Sequence, residues 1–428
     1  MRTAYRCRAY PGAEQQVLLN RTFGCVRVVW NRTLAARRAR YAAERASTTY
    51  AQTDRALTVL KRDPGLAWLG EVSCVPLQQA LRHQHAAFGA FFAQRARYPR
   101  FKSRRGRQSA TYTRSAFRIR GDQLHLAKMS EPLKVVWTWP GTSLTALNPT
   151  SVTVARDPAG RWFVTFHAEV PGPVPLRATG QAAGIDLGLT DFAVLSGGQR
   201  IPHPRHMDRH EQRLKRYQRR LAGCQKGSAN RKKAARKVAR AHARVTDARR
   251  DFLHQASAGL VRRFDVIAVE DLAVRNMVRN RSLARAISRT GWAEFRRQLE
   301  YKAQRYGRTI LVVDRWFPSS KTCSVCGFLL AELSLGTRAW ACPACGARHD
   351  RDLNAAKNIL AAGLAAAAGN GGDACGADVR HGQEPPPVQI AVNQEPRRAT
   401  AGIPALHIRA GSSQSALSPL ASRRRPGL

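Results

Sequence analysis

Residues 182–198 read AAGIDLGLTDFAVLSGG. Two apolar runs flank a short Gly-Leu-Thr-Asp segment, so the stretch predicts a β-hairpin. Its first strand, Gly184-Ile185-Asp186-Leu187-Gly188, holds a carboxylate among apolar neighbours. A buried carboxylate is unfavourable unless it is paired or binds a cation. Two more acids have comparable settings: Glu270 ends the apolar run Val266-Ile267-Ala268-Val269, and Asp352 lies in HDRDLNAA (349–356), at the expected start of a helix. Three converging carboxylates can hold two divalent cations about 3.5–4 Å apart, one activating water and the other stabilising the leaving oxygen of a phosphodiester. Taken singly, each has a structural reading: Asp186 could cap a turn, Glu270 could pair with Arg275, and Asp352 could be a helix N-cap. The joint pattern carries more weight, because the surrounding strands fit one sheet.

Between the second and third acids lies Cys323-x2-Cys326, then fifteen residues, then Cys342-x2-Cys345, each pair followed by glycine (Gly327, Gly346). Two such knuckles supply the four thiolates of a tetrahedral zinc site. All four positions are cysteine, leaving no open coordination position, so the expected role is structural. Binding free energy for such sites is roughly 10–16 kcal/mol, which makes the segment dependent on its metal for folding. His349 is expected to hydrogen-bond locally. The other cysteines, Cys7, Cys25, Cys74, Cys224 and Cys375, are scattered. One metal site plus isolated thiols suits a reducing compartment and excludes a disulfide framework.

Charge widens the frame. The 428 residues carry 72 Lys+Arg against 28 Asp+Glu, a formal net charge of +44. A compact body so charged repels itself unless a polyanion neutralises it, and nucleic acid is the leading partner. The hydrophobic share of 43% separates the chain from disordered, protamine-like polycations. No segment reaches the roughly 20 apolar residues of a membrane span. The start, MRTAYRCRAYPG, lacks the apolar core of a secretory signal, so a cytoplasmic location is expected, with no membrane partner.

The pattern along the chain predicts an α+β protein of several domains. A strand over 4–10 ends at Pro11-Gly12. Helical spacing follows (Val17, Leu18, Phe23, Val26, Val29, Trp30, Leu34), broken at Pro64-Gly65 and resumed after Pro76 with Leu77, Leu81, Phe88 and Phe92. Residues 98–105 mix aromatic and basic side chains, and Tyr98 and Phe101 could stack on bases or simply pack. Trp30, Trp68 and Trp340 are expected in cores. Runs at 151–154 and 162–170 around Asp157-Pro158-Ala159-Gly160 predict a hairpin. From Arg205 to Arg250 there are 17 Lys/Arg against three acids (Asp208, Glu211, Asp247), an excess too large for salt-bridge lacing; a helical pair facing nucleic acid, turning at 223–230, is expected. Strands at 265–270 and 309–313, helices at 291–306 and 353–368, and a disordered tail after about 370 complete the reading.

At these residues the chain resembles the TnpB (OrfB) family, RNA-guided DNA endonucleases encoded by insertion sequences and related to type V CRISPR effectors. The blocks that carry the resemblance are GIDLGLTDFAVLSGG (184–198), VIAVEDLAVRNMVRNRSLARAISRTGWAEFRRQLEYKA (266–303), DRWFPSSKTCSVCG (314–327) and WACPACGARHDRDLNAAKNIL (340–360); RCRAYPGAEQQVLLNRTFGCVRVVWN (6–31) is similar to the family's opening. It spans roughly residues 2–365. It implies a RuvC nuclease domain of RNase H fold over 178–320 and 349–368, with a zinc ribbon inserted at 321–348. It further implies a β-barrel wedge domain over 1–11 and 98–175 carrying a helical recognition insertion at 12–97, and a tail over 369–428. It places the family's magnesium-binding catalytic acids on Asp186, Glu270 and Asp352, with Asp350 the near competitor for the last, and its zinc ligands on Cys323, Cys326, Cys342 and Cys345. Its implied partners are a guide RNA transcribed from the element's end and a target DNA bearing a short adjacent motif. A guided DNA-binding regulator without cleavage, and a transposase acting directly in strand transfer, are the competing functions.

Overall fold

The computed structural model describes residues 1–369, apart from 105, 140, 173, 174, 205 and 335. The expected tail beyond 369 lies outside the described residues.

Strand β1 (Arg2–Ala9) is stopped by Pro11-Gly12 and followed by α1 (Ala13–Glu44), α2 (Tyr50–Arg62) and α3 (Cys74–Phe92). Helix α1 buries Leu19, Phe23, Val26, Val29, Trp30 and Leu34, the three- and four-residue spacing that sets one apolar face inward. Val17, counted to that face from sequence, lies exposed. A capping box starts α2: the Thr49 hydroxyl accepts from Gln52 N, and the Gln52 side chain accepts from Thr49 N. Trp68, expected in a core, is 37% exposed in the short 3-10 segment 64–70, its indole N–H donating to Gly65 O. Trp340 is half-buried against the His349 ring, with centroids 4.6 Å apart. Trp30 is buried as expected and donates through its indole N–H to Arg100 O.

Next come β2 (Gln108–Thr113), β3 (Phe117–Arg120), β4 (Gln123–Leu126), β5 (Val135–Val136), α4 (Leu144–Leu147), β6 (Ser151–Arg156) and β7 (Trp162–Glu169). The first sheet runs β2-β6-β7-β1-β5, antiparallel throughout, with β3–β4 a separate hairpin. The turn between β6 and β7 is the one the sequence indicated. Gly160 takes φ +82°, open to glycine at little cost, and its N–H returns to Asp157 O. Alternate residues Trp162, Val164, Phe166 and Ala168 of β7 are buried, as period-2 geometry requires.

The second half is built from β8 (Ala182–Asp186), β9 (Asp191–Leu195), β10 (Arg200–Pro202), α5 (His206–Ala222), α6 (Ala229–Arg263), β11 (Val266–Glu270), α7 (Val274–Met277), α8 (Ala284–Thr290), α9 (Trp292–Tyr306), β12 (Thr309–Val313), β13 (Ala339–Ala341), β14 (Arg348–Asp350) and α10 (Arg351–Gly369). Its sheet runs β10-β9-β8-β11-β12: the first three strands are antiparallel neighbours, while β8, β11 and β12 run parallel. Helix α9 and the C-terminal part of α6 bury Phe295, Leu299, Leu253 and Leu260 with Phe192 and Ile267 in one core. On the sheet's other contact, Ile359 of α10 joins Ala268 and Val313. The basic arm is an antiparallel helical pair, α5 and α6, turning at 223–228, and α6 extends well past the expected stretch to reach the sheet. Among the described residues no helix is long and apolar enough to cross a membrane.

Candidate metal centres and the family of the chain

Parallel pairing of β8 with β11 sets Ile185 beside Val269. Asp186 and Glu270, the next residues, therefore leave adjacent strands at the same edge. The third acid arrives on α10, and glycine permits its approach. A Cβ on Gly184 would lie 2.1 Å from Ala356 O and 2.8 Å from Leu360 Cβ, so only a residue without a side chain lets the helix lie directly on the strand. Gly363 repeats this one face further on, where a Cβ would meet that of Ala268 at 3.0 Å. The close fit brings the first turn of α10, with Asp352, over the strand ends.

The two acids of that turn differ. Asp350 Oδ1 accepts from Leu353 N at 2.9 Å, an N-cap, and its Oδ2 accepts from Arg200 at 2.8 Å. Asp352 is largely covered, with Arg338, itself well exposed, at 3.8 Å. The cap that sequence allowed for Asp352 is thus made by Asp350.

The field at the strand edge is unfavourable to anions. Burial pushes the Asp186 carboxyl up to about 8, and Glu270 and then Asp352 add to the shift as neighbouring negative charges. Burial also raises Glu270, against the pull of the Ser319 hydroxyl, which donates to Glu270 Oε1 at 2.5 Å. The adjacent Asp271 shows the opposite treatment. Burial opposes its ionisation too, but Arg296 and Arg315 both bond it and hold it below the usual carboxylate range. One carboxylate is neutralised by guanidinium groups; its neighbour points into a cluster of acids. The three acids do not yet close as a ligand set. Among the described residues, the one group of three or more His, Cys, Asp or Glu with ligand atoms all within 4.8 Å of each other is the four cysteines. The chemistry of the acidic trio still fits hard divalent cations, which favour carboxylate oxygen and would relieve its mutual repulsion.

The cysteine site is complete in geometry. Cys323 and Cys345 Sγ are 3.7 Å apart, and Cys326 and Cys342 Sγ are 3.6 Å apart. A tetrahedron with Zn–S bonds of about 2.3 Å has edges of roughly 3.8 Å, so the four sulfurs fit zinc. The two knuckles repeat one design. Gly327 N donates to Cys323 O and Gly346 N to Cys342 O, while Cys323 N and Cys342 N reach Phe328 O and Ala347 O. Both glycines have positive φ, +77° and +72°. The backbone N–H groups of Cys326 and Val325 turn toward Cys323 Sγ, and His349 Nε2 lies 3.0 Å from the same sulfur, the local hydrogen-bonding role expected of it.

Three residues that sequence reasoning did not single out tie the two centres together. Asn358 Nδ2 donates to Thr322 O at 2.6 Å and to Ser319 O at 2.7 Å; Asn354 Nδ2 donates to Thr322 O at 2.7 Å, and its Oδ1 accepts from Ser324 N at 2.9 Å. Ser319, held at its carbonyl by α10, meets Glu270 with its hydroxyl. The available signal was a pair of asparagines four apart on a helix expected to pack on the sheet, where a buried polar group must find a partner.

Against known proteins, three family profiles match: "Probable transposase" of the OrfB_IS605 type over residues 165–281, "Cas12f1-like, TNB domain" over 292–359, and "Helix-turn-helix domain" over 1–46, which here is β1 and α1. The "Putative RNA-guided DNA endonuclease" of Streptomyces pristinaespiralis is 52% identical over 408 residues, covering 95% of this chain and 99% of that protein. The chain belongs to the TnpB (OrfB) family. A second TnpB-family relative, "Putative RNA-guided DNA endonuclease InsQ" of Escherichia coli, is 30% identical over 89% of this chain and 95% of its own length. In fold, this TnpB-family chain is similar to the protein in "Cryo-EM structure of the Cas12f1-sgRNA-target DNA complex", at TM-score 0.54 and 13% identity, covering 84% of this chain and 98% of that one.

Proposed function

We propose that this protein is an RNA-guided, magnesium-dependent DNA endonuclease encoded by an insertion sequence, cutting target DNA at a RuvC-type centre made by Asp186, Glu270 and Asp352. The observation that carries the reading is the acidic edge itself. Two carboxylates leave adjacent parallel strands, a third is delivered by the helix laid on them, and Asp186 is pushed up to about 8 by burial and by Glu270 and Asp352, against the smaller opposing pull of Arg351. That arrangement is unfavourable for folding and suits cation binding. The strand order, three antiparallel strands continued by two parallel ones, agrees with an RNase H-like domain spanning 178–320 and 349–368 with the ribbon 321–348 inserted. The first sheet and its helices agree with a wedge (1–11, 98–175) carrying a recognition insertion (12–97). The relatives' names support guide RNA and target DNA as partners.

Within this reading Asp186 and Glu270 hold the cations from the sheet, and Asp352 holds them from α10. Ser319 orients Glu270. Asp350 stays with Arg200 and the helix terminus. Bound magnesium supplies an activated water and stabilises the leaving oxygen. The net charge of +44 matches a protein that grips backbones while base pairing reads sequence. The test is Asp186→Ala, assayed with guide RNA, target plasmid and magnesium: RNA binding persists and cleavage disappears. Cleavage at the parent rate sinks the assignment.

A further inference from the structure

Where β1, the β6–β7 turn and α6 meet, a cavity of about 530 Å³ opens between Arg8 and Tyr10 at the strand end, Arg161 on the hairpin, and Arg240 and Arg244 on the arm helix. None of its lining residues is acidic. Arg161 is neutralised from outside, by Asp157 at 2.7 Å and by Asp247 of α6, an ion pair that ties the arm to the hairpin. Among the described residues no carboxylate lies within ion-pair reach of Arg8, Arg240 or Arg244. Arg8 Nη1 is closed off from solvent without a hydrogen-bond acceptor. A donor left so is unfavourable by about 1–3 kcal/mol unless something accepts from it. The Arg8 guanidinium lies over the Phe163 ring at 4.9 Å, and Arg6 lies over the same ring at 3.9 Å. Burial lowers the proton affinity of Arg6, and Arg250, Arg107 and Arg161 lower it further by repulsion. Cations thus gather along this seam, and of those lining the cavity only Arg161 has a carboxylate partner among the described residues. Arg240 and Arg244, four apart, share one face of α6 and reach the cavity from the side opposite Arg8.

We infer that this cavity is a socket for a backbone phosphate of bound nucleic acid, gripped by Arg8 from the sheet and by Arg240 and Arg244 from the arm. The cavity has room for a phosphodiester with its flanking sugars, and its donors carry no base-edge readout, so the contact is independent of sequence. Occupancy fixes the arm against the first sheet beside the Arg161–Asp247 pair. The inference rests on the reading of the chain as a nucleic-acid-binding protein and is independent of the acidic centre.

The phosphate can come from RNA or from duplex DNA, and the test has an arm for each. The full-length protein, freed of copurifying nucleic acid and kept in EDTA so that no cleavage occurs, is titrated with an RNA strand of about 30 nucleotides and with a DNA duplex of similar length, across a salt series. The variants are Arg240→Gln with Arg244→Gln, and Arg8→Gln. The control is Arg118→Gln with Arg120→Gln on the β3–β4 hairpin. The plot of log affinity against log salt becomes shallower by about 0.7 per lost contact in the RNA arm or about 0.9 in the duplex arm. At about 0.1 M salt, affinity falls roughly tenfold in the same arm. The arm that responds names the source. An unchanged slope in both arms, or an equal change in the control, overturns the socket. Arg240 and Arg244 are exposed on α6, so their replacement leaves the fold intact, and unchanged melting temperatures verify it. Loss of the nuclease reading would leave these slopes untouched, because no arm measures cleavage.

Discussion

The cysteine ribbon and the acidic edge lie on either side of one loop, residues 314–322, and as candidate metal centres they are opposite in kind. In the ribbon, sulfurs 3.6 and 3.7 Å apart already span the edges of a tetrahedron, and backbone N–H groups point at them. In the edge, the carboxylates stand apart, and burial together with mutual repulsion keeps Asp186 up near 8. The first is closed and organised for permanence. The second stays open, and on the proposed reading exchangeable cations would relieve its repulsion. The difference is the one the proposed roles require: a structural ion needs every position filled, whereas a catalytic one would need room for water and a phosphodiester.

The largest effect that could break this comparison is loss of zinc. One zinc per chain is expected by elemental analysis of the purified protein, and none in Cys326→Ser with Cys345→Ser. Removing roughly 10–16 kcal/mol of binding energy unfolds the ribbon, read as new protease-sensitive sites within 321–348. Because Asn354 and Asn358 clamp the loop that carries Ser319, the same variant loses cleavage as well. A zinc-free parent protein that cleaves at full rate with magnesium present would show the two sites to be unconnected.

Next in size is the contrast between two aspartates on one helical turn. On the proposed reading Asp352→Ala removes a ligand and should lower cleavage about 10³-fold, equivalent to ~4 kcal/mol. Asp350→Ala removes a cap and an exposed ion pair, which are worth about 0.5–2 kcal/mol of stability and little activity. Equal losses of cleavage in the two variants would return the last acidic position to Asp350.

How much of this was legible beforehand depended on locality. The ribbon was read whole, because its ligands fall in two four-residue knuckles whose spacing carries the geometry. Most strands were read nearly to their ends, since the 2-residue period dominates them, whereas α6 ran past its expected end and the first helical run proved to be two helices, α1 and α2. The acids were nominated by their apolar surroundings, but their meeting depends on parallel pairing across 85 residues and on a helix from the far end of the chain, which no local pattern encodes. Asp350's cap and the role of Gly184 were illegible for the same reason. A strand glycine signals close approach without naming what approaches. Trp68 was misread because a tryptophan implies a core only where something lies over it.

Gly184→Ala tests that approach at a smaller scale. With a Cβ 2.1 Å from Ala356 O, the helix must shift off the strand, an overpacking cost of about 1–3 kcal/mol or somewhat more. For a domain of roughly 150–250 residues each kilocalorie lowers the melting temperature by roughly 2–4 °C. Cleavage should fall further than stability, because the shift moves Asp352 away from Asp186. Asn at 352 in the Gly184→Ala background then adds little to the loss, the coupling that a double-mutant cycle reads.

The smallest effect bears most directly on the open character of the acidic edge. Asp186 has a folded value near 8 against an ordinary value near 4, so between those limits the folded chain holds a proton that the unfolded chain has released. Stability contributed at this residue is therefore present at low pH and is lost as pH rises from about 4 to about 8. Replacing the carboxyl with an amide removes the titration. Without metal, Asp186→Asn should melt a few degrees above the parent at pH 8 and differ little from it near pH 5. Magnesium should reverse the order, raising the parent's melting temperature progressively with pH and leaving Asp186→Asn nearly unmoved, since only the ionised carboxylate is a ligand. A parent protein whose melting is indifferent to both pH and magnesium would mean that the edge carries no strain for a cation to relieve. The acidic site would then be as settled without its ions as the ribbon is with zinc.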